Sequence, residues 1–138
     1  MTHLLDSNAV YDLLSDATLL DAVPPNAELH VSAVTVLELQ FGIAKAAHDG
    51  DAQKVTLRQA TLAQVSGLFD PEPIDGAVQA VFGRISAAAL TAGQNPRKRM
   101  NDLMVAATAL ANGWTLVTAD EQLIAAVGPI LDTLNHRP

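Results

Sequence analysis

Cysteine is absent from this chain of 138 residues, which excludes disulfides and thiolate zinc sites. Aromatic residues are scarce at 4%, although hydrophobic residues make up 49% of the sequence. The apolar content is largely Ala, Leu and Val, which suits helices packed on a short, branched sheet. No apolar run reaches the roughly 20 residues of a membrane-spanning helix. The start of the chain, Met1-Thr2-His3-Leu4-Leu5-Asp6, lacks the basic region, apolar stretch and cleavage pattern of a secretory signal. A cytoplasmic protein with no membrane partner is therefore expected. His3, His30, His48 and His136 are scattered, without the spacing of a metal-ligand set. Repeats, low-complexity tracts and signs of a second domain are missing too, so residues 1–138 read as one compact domain with a true core.

Positive charge is also in short supply. Eight Lys and Arg face 15 Asp and Glu, for a net charge of -7. Phosphate attraction drives non-specific nucleic-acid binding, so the total charge argues weakly against such a partner. Three of the eight cations nevertheless stand together as Arg97-Lys98-Arg99. That triplet makes the local field favourable to phosphate.

What is present alternates between short strands and longer helices. Residues 3–5 read as a strand, followed by short helices over 8–15 and about 16–22 and a break at Pro24-Pro25-Asn26. Residues 29–31 form a second strand, leading through Ser32 into a helix over 34–47 that Ser32 or Thr35 caps. Asp49-Gly50-Asp51 is a turn before a helix over 52–68, with Val55, Leu62, Val65 and Leu68 as its apolar positions. A weak third strand falls in 71–74. The helix over 76–92 carries a core stripe of Val78, Val81, Phe82, Ile85 and Leu90. The basic triplet lies in the next loop. A helix over 101–111 ends at Asn112-Gly113, a good left-handed cap. Residues 115–117 form the fourth strand, with Trp114 packing beside it. A helix over 120–127 and an edge strand at Ile130-Leu131 complete the pattern. Such alternation implies an α/β fold with a parallel sheet covered on both faces.

Four carboxylates occupy places that folding alone does not demand. Asp6 closes the apolar run His3-Leu4-Leu5, and Glu38 interrupts the apolar stretch 31–43. Asp102 opens a helix, and Asp120 follows Leu116-Val117. Each has a purely structural reading. Asp6 caps or turns, Asp102 complements a helix dipole, and Thr118 to Glu121 makes a capping box around Asp120. Glu38 at the edge of a stripe faces water. Their joint placement says more, because ligands of open parallel sheets bind at the carboxyl ends of strands. Asp6 and Asp120 both follow strand ends, and neighbouring strands lie about 4.8 Å apart. Glu38 and Asp102 can approach the same edge. Charges near an apolar core are costly unless compensated, and a hard divalent cation such as Mg2+ or Mn2+ compensates oxygen ligands.

Four segments, in this order and spacing, carry a family resemblance. They are residues 4–8 (LLDSN), residues 34–39 (VTVLEL) with Gly42, residues 101–110 (NDLMVAATAL) and residues 116–120 (LVTAD). Together they closely resemble a PIN-domain ribonuclease, and within that family the VapC toxins of VapBC toxin–antitoxin pairs. The resemblance runs from residue 3 to about residue 131. It implies a PIN-like three-layer α/β/α sandwich with a parallel five-stranded sheet in the order 3-2-1-4-5. It also implies Mg2+- or Mn2+-dependent cleavage of RNA. Asp6, Glu38, Asp102 and Asp120 match the family's acidic positions, as catalytic residues and metal ligands. Asn8 and Thr118 match supporting polar positions. Further implications are a VapB-like antitoxin whose C-terminal segment covers the acidic groove, and a homodimer sharing apolar helix faces such as 34–43.

The residues suit that chemistry. A phosphodiester repels hydroxide and gathers more charge during displacement, which divalent ions held by carboxylates offset. Asp6 and Asp102 are expected as direct ligands, and Glu38 and Asp120 as ligands or water-mediated supports. Arg97, Lys98 and Arg99 are candidates for the RNA backbone or, alternatively, a solvated basic loop. A phosphotransfer receiver would need a late-strand Lys, yet no Lys follows Lys98. A haloacid-dehalogenase-type phosphatase would need Asp where Asn8 stands. A PIN nuclease of RNA processing and a non-catalytic module binding a cation or a protein remain as alternatives.

Overall fold

The computed structural model describes residues 1–15 and 18–138. At its centre is β1 (Thr2–Leu5), in which His3, Leu4 and Leu5 are all buried. It pairs in parallel with β2 (Glu28–Val31) and β3 (Thr115–Thr118), and β3 pairs in parallel with β4 (Thr133–Asn135). The sheet order is β2-β1-β3-β4. Strand side chains alternate between faces, so one register step separates two cores. Leu4 beside Leu116 faces one cluster, with Val78, Ile85, Leu103 and Leu123. Leu5 beside Val117 faces the other, with Val10, Leu19, Leu39 and Val65. Burial on both faces explains why the central strands read as unbroken apolar runs.

The helices supply the outer layers. α1 (Ser7–Ser15), α2 (Leu19–Ala22), α3 (Ala33–His48) and α4 (Ala52–Leu68) contribute Val10, Leu19, Leu39 and Val65 to the second cluster. α5 (Gly76–Thr91), α6 (Met100–Asn112) and α7 (Glu121–Val127) build most of the first. This is the expected α/β/α sandwich. Local chemistry sets the helix starts: the side chains of Ser32, Asp51, Asp75 and Asp120 accept from backbone N–H groups in the first turns of α3, α4, α5 and α7. Gly113, at φ 70°, closes α6 in the left-handed conformation. Trp114 packs as expected and stacks on His30 with ring centroids 4.4 Å apart.

Several expectations need correction. The sheet has four strands among the described residues, not five. The segment expected as the third strand is reduced to a single parallel bridge, Ser32 to Glu72. Pro71 and Pro73 flank Glu72 and have no N–H to give, so Glu72 alone donates, to the Val31 carbonyl at 2.8 Å. Its place beyond β2 is the one expected. The edge strand lies at Thr133–Asn135 rather than Ile130-Leu131, whose side chains pack into the first core instead. The second short helix begins at Leu19; Asp16 and Ala17 of its expected span lie outside the described residues. Leu68 and Leu90 are exposed rather than core.

Candidate active site

The carboxyl edge of the sheet gathers the predicted acids from four parts of the chain. Asp6 follows β1 directly. Its backbone N–H donates to the Val117 carbonyl on β3 at 3.1 Å, and one carboxylate oxygen accepts from Ala9 N–H at 2.8 Å. Asp6 thus caps α1 and stands at the strand end at once. The fully buried Thr118 hydroxyl hydrogen-bonds to the Asp6 carboxylate and accepts from Asp120 N–H at 3.1 Å. One hydroxyl therefore ties the ends of β1 and β3 together.

Asp120 likewise has two roles. Its Oδ1 accepts from Leu123 N–H at 3.0 Å, capping α7, and its Oδ2 meets the Arg99 guanidinium. Asp102 lies in the first turn of α6 and approaches the same Arg99 at 3.5 Å. Glu38, on the second turn of α3, is held by the Ser7 hydroxyl, which donates to it at 2.8 Å. Thr35, one turn earlier on α3, places its hydroxyl 3.4 Å from Ser7 Oγ.

Asp6, Glu38 and Asp102 are each shifted by burial and by neighbouring carboxylates. Burial raises the Asp6 carboxyl above its ordinary range and Asp120 adds to the rise, against the opposing effects of Thr118, Ala9 N–H and His136. Burial also raises Glu38, reinforced by Asp102 and Asp6 and opposed by Ser7. Asp102 is raised by burial and by Asp120 and Asp6, even with Arg99 beside it. A shared hard cation would relieve this strain, and an all-oxygen donor set has the right chemistry for Mg2+ or Mn2+. The side chains are not arranged as a finished cage: among the described residues no three acids or histidines form a metal-binding group. Arg99 engages two of the four, Asp102 and Asp120.

Arg99 is the main surprise. The sequence placed it with Arg97 and Lys98 as an RNA contact, yet its side chain is only 15% exposed and turned onto Asp102, Asp120 and the Gln122 side chain. Arg97 and Lys98 are exposed. All three line a groove of about 340 Å³ with Glu38, Asn101 and Asp102, so basic loop and acidic edge adjoin. Asn8 is exposed on α1, and it is Ser7 that touches Glu38. Sequence reading gave Ser7 no role. A hydroxyl directly after Asp6 was the available signal, although it also fits an ordinary helix start. His136 was missed as well: it is buried and its Nδ1 lies 3.1 Å from the Asp12 carboxylate.

This fold and edge are those of a PIN domain. The PIN-domain family profile matches residues 3–128, and the chain belongs to that family, whose members are generally nucleases. The VapBC-5 toxin–antitoxin structure from Mycobacterium tuberculosis is similar at a TM-score of 0.74 and 24% identity, covering 96% of this chain and 94% of that one. FitAcB from Neisseria gonorrhoeae has a TM-score of 0.74 and 26% identity, with 97% of each chain covered. VapBC-1 from nontypeable Haemophilus influenzae has a TM-score of 0.74 at 18% identity, with 100% of each chain covered. No curated protein matches the chain in sequence. Among the described residues no helix is long and apolar enough to cross a membrane.

Proposed function

We propose that this protein is a metal-dependent endoribonuclease acting as the toxin of a type II toxin–antitoxin pair. The observation that carries the reading is the convergence of Asp6, Glu38, Asp102 and Asp120 on one sheet edge beside a basic groove, with the carboxyls of Asp6, Glu38 and Asp102 raised by burial and by neighbouring acids. Asp6 and Asp102 would hold Mg2+ or Mn2+, with Glu38 and Asp120 as further ligands or water-mediated supports. A divalent ion supplies Lewis acidity there, lowering the pKa of water and offsetting charge on the attacking and leaving oxygens. Thr118 fixes the Asp6 carboxylate, and Ser7 fixes Glu38. Asn8, exposed on α1 two residues after Asp6, would support water or substrate. Arg97 and Lys98 hold RNA phosphates along the groove.

The comparisons support a VapB-like antitoxin as partner, since several of the similar structures are VapBC pairs. Leu37 and Phe41 on α3 are 66% and 69% exposed, an apolar face suited to a partner or to a second copy in a homodimer. The deciding experiment incubates the purified chain with RNA in Mg2+ or Mn2+ and in excess chelator. Cleavage that needs the ion and disappears in Asp6→Asn supports the nuclease. Inducible expression then tests toxicity: arrested growth with the wild type, but not with Asp6→Asn, supports the toxin. Normal growth with abundant soluble protein favours an RNA-processing role instead.

Two smaller effects belong to this reading. Ser7→Ala strips Glu38 of its donor and leaves it harder to ionise, so cleavage should fall about tenfold at neutral pH. Part of that loss should return as pH rises, which a pH–rate profile would reveal; an unmoved profile removes Ser7. Replacing Arg97 and Lys98 together with Ala should flatten the salt dependence of RNA binding, lowering the log–log slope by about 1.4 for single strands. An unchanged slope detaches the loop from RNA.

A further inference from the structure

Arg99 is held more firmly than a surface cation needs to be. Its Nη2 meets both Asp102 and Asp120, and its Nη1 donates to Gln122 Oε1 at 3.2 Å. Its Nε is buried and has no hydrogen-bond partner among the described residues. The loop that carries it is pinned as well: Gln94 donates to the Gln122 carbonyl at 2.8 Å, and Asn95 accepts from Arg97 N–H at 3.0 Å. Gln122 sits in the first turn of α7, the helix that Asp120 caps. Arg99 and Asp120 are thus drawn together from both sides.

We infer that Arg99 is a built-in counter-ion that competes with the divalent cation for Asp102 and Asp120. The inference rests on the proposed metal site. One guanidinium brings a single positive charge to two carboxylates and leaves them under-compensated, and its Nε, without a partner among the described residues, marks its seat as an imperfect one. A doubly charged ion taking oxygens from the same two residues must break the Arg99 ion pairs, and it meets the repulsion of a nearby positive charge. Arg99 therefore steadies the acidic edge when no ion is bound and weakens ion binding. The exchange frees a third cation at the groove already lined by Arg97 and Lys98.

The test is direct Mn2+ binding to the full chain without RNA, by calorimetry or by electron paramagnetic resonance of free Mn2+. Wild type, Arg99→Gln, Arg99→Lys and Asp102→Asn are compared at one pH and salt. Arg99→Gln should bind Mn2+ about tenfold tighter than wild type, equivalent to about 1.4 kcal/mol. Arg99→Lys, which keeps the charge but loses the fork, should fall between them. Without metal, Arg99→Gln should melt below wild type, and saturating Mn2+ should close that gap. Equal or weaker binding by Arg99→Gln, while Asp102→Asn abolishes binding, overturns the inference and leaves the nuclease reading standing. Failure of the wild type and every variant to bind Mn2+ sinks both. Should Arg99→Gln not fold, Arg99→Lys decides alone: tighter binding than wild type supports the exchange, and equal or weaker binding overturns it.

Discussion

Asp102→Asn, and separately Asp6→Asn, should reduce RNA cleavage by at least roughly 10²–10³-fold, the loss seen when one preorganised electrostatic group leaves an active site. The fold should survive. The amide oxygen introduced by Asp6→Asn can still accept from Ala9 N–H and from Thr118, and Asp102 makes no side-chain cap of α6. Its pH dependence separates this outcome from simple unfolding. Asp6, Glu38 and Asp102 hold protons above their ordinary values of 3.8, 4.5 and 3.8. The folded state therefore binds more protons than the unfolded chain just above that range. Their contribution to stability is then fully present below the ordinary values and is lost as pH rises through the raised ones. Without metal at pH 7, the two variants should melt no lower than wild type, and any advantage should shrink toward pH 4. Thermal melts across pH, set beside cleavage assays, check both halves. Cleavage by Asp102→Asn within about tenfold of wild type would remove that residue from the chemistry.

Leu116→Ala should cost about 2–5 kcal/mol of stability, because it opens a cavity where relaxation is restricted. Leu116 is fully buried on β3, between Leu4 of β1 and Thr133 of β4. Its cluster draws on Ile85, Leu103 and Leu123, one from each of α5, α6 and α7. No single neighbour can move in without disturbing the others. The expected fall in melting temperature is about 10 °C or more, readable by calorimetry. Activity per folded molecule should hold well below the melt, since Thr118 and Asp120 are fixed by their own hydrogen bonds. A loss below about 1 kcal/mol would mean that the layer packs more loosely than the buried side chains indicate.

The central strands and long helices were legible because burial on both faces and helical periodicity leave direct marks in sequence. The helix over 52–68 was located to the residue, framed by Asp51 as its cap. Misreadings arose where apolar content served something other than pairing. Ile130-Leu131 fills the core from a turn, while the true edge strand is only half buried. Leu68 and Leu90 fit their helical stripes but end outside the packed layer. At the site, the sequence singled out four acids, and their structural readings as caps and first-turn charges hold beside their place at the sheet edge. Asp6 and Asp120 each cap a helix, and Asp120 gives its second oxygen to Arg99. The fate of Arg99 was not legible. A basic triplet shows charge density, whereas the direction of one guanidinium depends on Asp120 and Gln122, more than 20 residues away.

The two prolines around Glu72 have a consequence for the life of the molecule in solution. An open β-edge invites a neighbouring copy to continue the ladder, the first step toward fibres. Here one flank is shut by a segment with almost no donors to offer, and the opposite flank, β4, is three residues long. Stacking of copies edge to edge is thus discouraged on both sides.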